Sequence, residues 1–186
     1  VLGIAMGTSE AAGFVNGDGN ITGWLNELAF APVDLSPWAE MDEWSGCRGV
    51  GCKYFSQDGV IKLAPRAGIH LRESLSPAEK LKKVQEAMEA GDPGAAAVYR
   101  SIGCYLGHTL PLYYRFYHMK HVLLMGRATS GEGGNLMVET ALSVIQKEYP
   151  DLEKAFTLQL PNEKSRRVGQ SIAAASLPKV RKIKLD

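Results

Sequence analysis

The sequence predicts an α/β protein on a mixed five-stranded sheet, in the order β-β-β-α-β-α-β-α, with an ordered insertion after the third strand. Three observations carry that prediction. The first apolar runs are joined by turn signals too short to hold a crossover, so they pair antiparallel. Two later apolar runs, 121–126 and 155–160, are each flanked by helical patterns, and right-handed crossovers make that part of the sheet parallel. Between the two parts lies a long stretch rich in Pro, Gly and aromatic residues, with no sustained period.

Taken in order, VLGIAM (1–6) and AAGFV (11–15) read as strands joined across GTSE. NGDGN (16–20) supplies Asn-Gly and Asp-Gly hairpin signals and leads into a third strand, ITGWL (21–25). Residues 26–70 are the insertion. Trp24, Phe30, Trp38, Trp44, Tyr54 and Phe55 argue that it is ordered, held by burial of its rings at about 2–3 kcal/mol for each fully buried one. Ser76-Pro77-Ala78-Glu79 is a helix cap, followed by Leu81, Val84, Ala87 and Met88 on one face and stopped by Gly91. Asp92-Pro93 starts a second helix running towards His118, in which Pro111 predicts a kink or a break. HVLLMG (121–126) is a buried strand, RATSGEGGN a glycine-rich loop, NLMVETALSVIQKEY (135–149) a helix and AFTLQL (155–160) a strand. SRRVGQSIAAASL (165–177) closes the chain as a small-residue helix. This order is the ribonuclease-H-like pattern. It makes residues 1–178 one domain, with a basic tail at 179–186.

Composition narrows the function. The 186 residues carry a formal net charge of +1, which argues against a generally electrostatic nucleic-acid binder. No apolar stretch approaches the length of a membrane span. With no leader pattern before residue 1, a cytoplasmic protein is expected. Cys47, Cys52 and Cys104 are an odd number and do not form a secreted disulfide framework. Cys104 reads as core, His108 as a packed histidine, and YYRFYHMKH (113–121) as half-buried packing at a helix end.

Two loops could hold a ligand. Small residues at Gly7-Thr8-Ser9 let backbone N–H groups and hydroxyls converge on an anion, although the same tripeptide also serves as an ordinary hairpin turn. Gly126, Gly131, Gly133 and Gly134 make a second glycine-rich loop, which could simply shape a strand-to-helix turn.

The local sequence resembles the ROK family (repressors, open reading frames and sugar kinases), whose lobes belong to the actin–hexokinase–Hsp70 superfamily. GIAMGTSEAAGFV is similar to that family's second phosphate loop, GTGIGGGIV, with Gly7, Thr8 and Gly13 in step. NELAFAPVD (26–34) resembles its substrate segment, EIGHM. CRGVGCKYFS (47–56) falls where its cysteine cluster belongs. VLLMGRATSGEGG (122–134) is similar to its adenosine-side segment, and VGQSIAAASL (168–177) to its last helix.

The resemblance implies that Gly7, Thr8, Ser9, Gly126, Arg127, Gly133 and Gly134 bind ATP with Mg²⁺, and that Glu27, assisted by Asn26, accepts hydrogen bonds from sugar hydroxyls. Several positions depart from the pattern. Ser9 replaces a glycine, and Glu10 is expected to put a carboxylate near the phosphates and weaken nucleotide binding by repulsion. Arg127 replaces a glycine and would stack on or obstruct the base. Phe30 stands for the family's histidine and Tyr54 for its glutamate. Only Cys47 and Cys52 remain of the zinc set, with His70 a speculative third ligand, so zinc is not expected. No catalytic residue is assigned, because the family's first phosphate loop and aspartate base would lie in an N-terminal lobe preceding residue 1. The expectation is a nucleotide- and sugar-binding C-terminal lobe of an ATP-dependent sugar kinase, inactive alone and missing its N-terminal lobe as partner. The alternative is the sugar-sensing domain of a ROK repressor, with nucleic acid a partner only if a helix-turn-helix lies upstream. A lobe-facing surface left open invites self-association into a homo-oligomer.

Overall fold

The computed structural model describes residues 1–161. Strand β1 (Leu2–Met6) lies between two partners. It pairs antiparallel with β2 (Glu10–Phe14) through the turn at residues 7–9, and parallel with β3 (His121–Met125). A short β4 (Thr157–Gln159) adds parallel to β3, giving the order β2-β1-β3-β4. Alternation sets the faces. Leu2, Ile4, Met6, Val122 and Leu124 point into the core, whereas Gly3, Ala5, Leu123 and Met125 line the opposite face.

Four helices complete the fold: α1 (Gln57–Arg66), α2 (Pro77–Glu89), α3 (Pro93–Tyr117) and α4 (Gly131–Glu148). The cap at Ser76 forms as expected. Its side chain accepts from the Glu79 N–H and the Glu79 carboxylate reaches back, closing a capping box with Pro77 at the first position. Asp92 caps α3 by accepting from the N–H groups of Gly94 and Ala95. The backbones of α3 and α4 pack closely because α3 presents Gly103 and Gly107 one turn apart. A Cβ on Gly103 would stand 2.6 Å from the Met137 carbonyl oxygen, and one on Gly107 would stand 2.6 Å from the Val144 Cβ. Tyr99, Ile102, Leu106 and Leu110 of α3 are buried between α4 and the sheet's inner face.

Four sequence expectations are corrected. The sheet has four strands among the described residues. Ile21 makes a single antiparallel bridge to Val15 and the chain then leaves the sheet, so ITGWL is not a third strand. The insertion contains helix α1, which Gly59 and Pro65 concealed. Ser56 starts it by accepting from the N–H groups of Asp58 and Gly59. Helix α3 is continuous through Pro111, so the break that Pro111 allowed does not occur. Cys104 and His108 are exposed on that helix rather than packed, the His108 ring meeting Tyr149. The closing helix expected at 165–177 and the basic tail lie outside the described residues.

The insertion is ordered, but only in part by its rings. Phe55 and Tyr54 are buried, whereas Trp38, Trp44, Trp24 and Phe30 are exposed. Backbone hydrogen bonds replace them: Val33 and Asp34 N–H to the Gly49 carbonyl, Gly51 N–H to that of Ala31, and Gly49 N–H to that of Glu40.

Candidate functional site

The turn after β1 and the turn after β3 meet at one edge of the sheet. Parallel pairing in register aligns Ala5 with Met125, so both chains leave the sheet at the same level. Gly126 then abuts Met6. Its φ is +100°, and any Cβ there would run into the Met6 backbone, so glycine is required twice over. The carboxyl ends of parallel strands are where open α/β sheets accept ligands.

Helix α2 braces the second turn and borders the first. The Gln85 side-chain amide donates to the Arg127 carbonyl at 2.8 Å, and Lys80 lines a cavity of about 400 Å³ with Thr8, Ser9 and Gln57. The Gln57 N–H, at the start of α1, donates to the Gly7 carbonyl at 2.8 Å and fixes the first turn. Thr8 and Ser9 are exposed, as is Arg127. Lys80 makes no ion pair among the described residues, and it lines the same cavity as the Thr8 and Ser9 side chains. Gly133 and Gly134 differ from Gly126. Both are buried, and side chains there would strike the Tyr99 ring and the Thr129 carbonyl. Helix packing accounts for them.

Glu10 does not face this cavity. It pairs across the hairpin with Met6, and cross-strand partners share a face, so its side chain enters the core at 5% exposure. A Cβ on Gly51 would collide with its carboxylate and with the Leu28 carbonyl, which places Glu10 beneath the short turn Gly51–Lys53. Neither oxygen has a hydrogen-bond partner among the described residues. Burial pushes its pKa up to about 8, so Glu10 is a neutral acid at pH 7. The expected repulsion with phosphates is therefore overturned.

Asn26 and Glu27 lie elsewhere, in a cleft of about 440 Å³ under the C-terminal half of α3. Asn26 is held at φ +55°. Its Oδ1 accepts from the Tyr117 hydroxyl at 3.1 Å and its Nδ2 donates to the Trp24 carbonyl. Phe14, Trp24 and Tyr117 cluster beside it, their ring centroids 5.0–6.1 Å apart. Glu27 is exposed at the rim. The geometry is an aromatic wall with one carboxylate.

Where the cysteine cluster falls, charge does the joining. Lys53 bridges Asp42, Glu43 and Asp58, and Lys62 reaches Glu40, Glu43 and Asp58. Hydrogen bonds from Lys53 hold the Glu43 carboxyl down at about 2. Cys52 is buried and its thiol is pushed up to about 11 by burial, while Cys47 is exposed. Among the described residues no three His, Cys, Asp or Glu side chains are grouped to hold a metal ion, and His70 is exposed. Sequence reasoning missed Lys53 and Lys80. For Lys80 a signal existed, since it stands one turn inside the helix that Ser76 caps.

No protein-family model and no curated protein matches this sequence. Solved structures do. A ROK family transcriptional regulator, a homologue of the E. coli MLC protein, matches at 19% identity and TM-score 0.66, over 86% of this chain and 41% of that one. A ROK hexokinase from Thermus thermophilus matches at 18% and 0.65, over 89% of this chain and 53% of that one. A ROK family glucokinase from Streptomyces griseus, in complex with glucose and AMPPNP, matches at 18% and 0.62, over 86% and 54%. The chain spans about half the length of these structures, and at this identity the likeness is one of fold: it has the fold of part of a ROK family protein.

Proposed function

We propose that this chain is a nucleotide- and sugar-binding lobe of a ROK-type sugar kinase. The observation that carries the reading is the meeting of the Gly7–Ser9 and Gly126–Arg127 turns at the carboxyl ends of two parallel strands. The Thr8 and Ser9 hydroxyls and the Lys80 ammonium would hold the phosphates, and Arg127 would flank the base. ATP with Mg²⁺ would supply the phosphoryl group to be transferred. Glu27 would accept from sugar hydroxyls, with the Trp24 and Tyr117 rings against the sugar's apolar face. Asp42 and Asp58 share the cavity with Thr8 but are engaged by Lys53. The lobe therefore binds and orients, and the proton-accepting carboxylate belongs to a second lobe. Turnover by these residues alone is expected to be nil.

Calorimetric titration with Mg²⁺-ADP tests the site. A Cβ at Gly7 would meet nothing closer than 3.7 Å and the turn has no positive φ, so Gly7→Asp is expected to fold and to bring a carboxylate to the phosphates. Binding that this variant abolishes supports the reading. A second reading, a sugar-sensing lobe, is favoured by the fold shared with a transcriptional regulator and by the bulky Arg127 at the nucleoside side. Heat with glucose and none with Mg²⁺-ADP would select it.

A further inference from the structure

Glu10 sits at the joint between two walls of the cavity that Thr8 and Ser9 share with Cys52 and Lys53. One wall is the turn at residues 7–9, which Glu10 follows directly as the first residue of β2. The other is the turn Gly51–Lys53, whose Gly51 lies so close that a Cβ there would collide with the Glu10 carboxylate. We propose that Glu10 is a proton-operated latch: its neutral acid holds the two walls together, and loss of the proton expels the side chain, parts the walls and uncovers Cys52.

The position is built for release. Glu10 pairs with Met6 in the last rung of the β1–β2 ladder, so turning it outward undoes one pair at a strand end. Both of its oxygens lack a hydrogen-bond partner among the described residues. Close fit and exclusion from water are what retain the side chain, and these suffice only for an uncharged group.

The surroundings offer no relief to a charge. From α3 comes the Tyr113 hydroxyl, buried and likewise unpartnered among the described residues, and from the Gly51–Lys53 turn comes the Cys52 thiol. A charge on Glu10 would act on both, and burial already holds both neutral. Tyr117 acts on Tyr113 rather than on Glu10. The Lys53 ammonium is taken by Asp42, Glu43 and Asp58. Glu27, just ahead of the buried Leu28, is exposed. The folded pKa of about 8 sets the working range at mildly alkaline pH. Linkage from 4.5 outside to about 8 inside makes the open form, relative to the closed one, about tenfold more favoured at pH 9 than at pH 7.

Cys52 reports the opening. Cys47 and Cys104 are exposed, so replacing both by Ser leaves Cys52 as the one thiol of the chain. Its alkylation by iodoacetamide rises with pH in any case as the thiolate forms, and Glu10→Gln, neutral at every pH, gives that baseline. Between pH 7 and pH 9 the rate should rise about tenfold more with Glu10 than with Gln. Glu10→Leu supplies a second baseline if the amide disturbs folding. Equal rises in all three chains overturn the latch. So does labelling that accelerates in dilute urea as steeply as global unfolding, because the whole chain is then opening. The consequence for a ligand rests on the nucleotide reading above: Mg²⁺-ADP spanning the two walls should slow the labelling at pH 9. A Glu10-dependent rise that ADP leaves untouched would keep the latch and count against that reading alone.

Discussion

The sheet with its helices α2–α4 and the segment between β2 and α1 are neighbours stabilised by opposite physics. The first is a dry apolar core around the inward-facing strand residues Leu2, Ile4 and Leu124, and it tolerates no ionised group except at a cost. The second leaves two of its tryptophans more than 80% exposed and is tied by backbone hydrogen bonds and by Lys53, whose ammonium meets three carboxylates. Apolar residues do not by themselves mark a core; what matters is whether the backbone can bring their faces together. Here the short bridges Pro32–Val50 and Met41–Arg48 fold the segment back on itself too tightly for that.

The sharpest contrast is by truncation. Leu124→Ala removes a fully buried side chain from the central sheet and should cost about 4 kcal/mol in urea unfolding. Next comes Glu10, which sits at the seam between the two regions. Its folded pKa, about 8, lies above its ordinary value of 4.5. The stability it contributes is complete below about pH 4.5 and is lost as pH rises to about 8, a difference of about 5 kcal/mol at most. Glu10→Leu should flatten that alkaline loss, raising the unfolding free energy by about 3 kcal/mol at pH 8 and little at pH 4.5. The segment responds with the opposite sign. The Glu43 carboxyl is held at about 2, so its contribution is present above pH 4.5 and fades as pH falls towards 2. Lys53→Met should cost about 1–3 kcal/mol, less at high salt, and should enhance cleavage of residues 39–53 by a nonspecific protease. Smallest is Trp44→Ala, expected to stay within about 0.5 kcal/mol because the ring is 85% exposed. A loss comparable to Leu124→Ala would erase the distinction drawn here.

Local signals were legible and distant ones were not. Ser76 with Glu79, and Asp92 with Pro93, declare their helices because every group that forms the cap lies within one turn. The β1–β2 hairpin and the apolar run at 121–125 are equally local. ITGWL failed because pairing needs a partner beyond Val15, which alternation cannot reveal. Helix α1 was hidden by Gly59, whose missing side chain makes room for the Tyr54 carbonyl, a contact with no trace in periodicity. In the candidate site, Gly126 was legible as a glycine needed for backbone approach, although the approaching backbone is Met6. The inward turn of Glu10 was not, because no charge pattern shows which face of a hairpin an acid occupies.

Helix α3 has a consequence of its own. Its 25 residues make a rod about 37 Å long. Near its start, the Tyr99 ring lies under Gly133 in the first turn of α4. At mid-length the Tyr105 hydroxyl grips Asp34, and near its end Tyr117 holds Asn26. Three separate parts of the chain thus rest on one shaft, and any tilt of the helix would move all three together. Pro111, between Tyr105 and Tyr117, lacks the N–H that would tie it to the preceding turn, which leaves the ladder one hydrogen bond short there. Signals between the first two stations would travel stiffly, and those reaching the third would arrive damped.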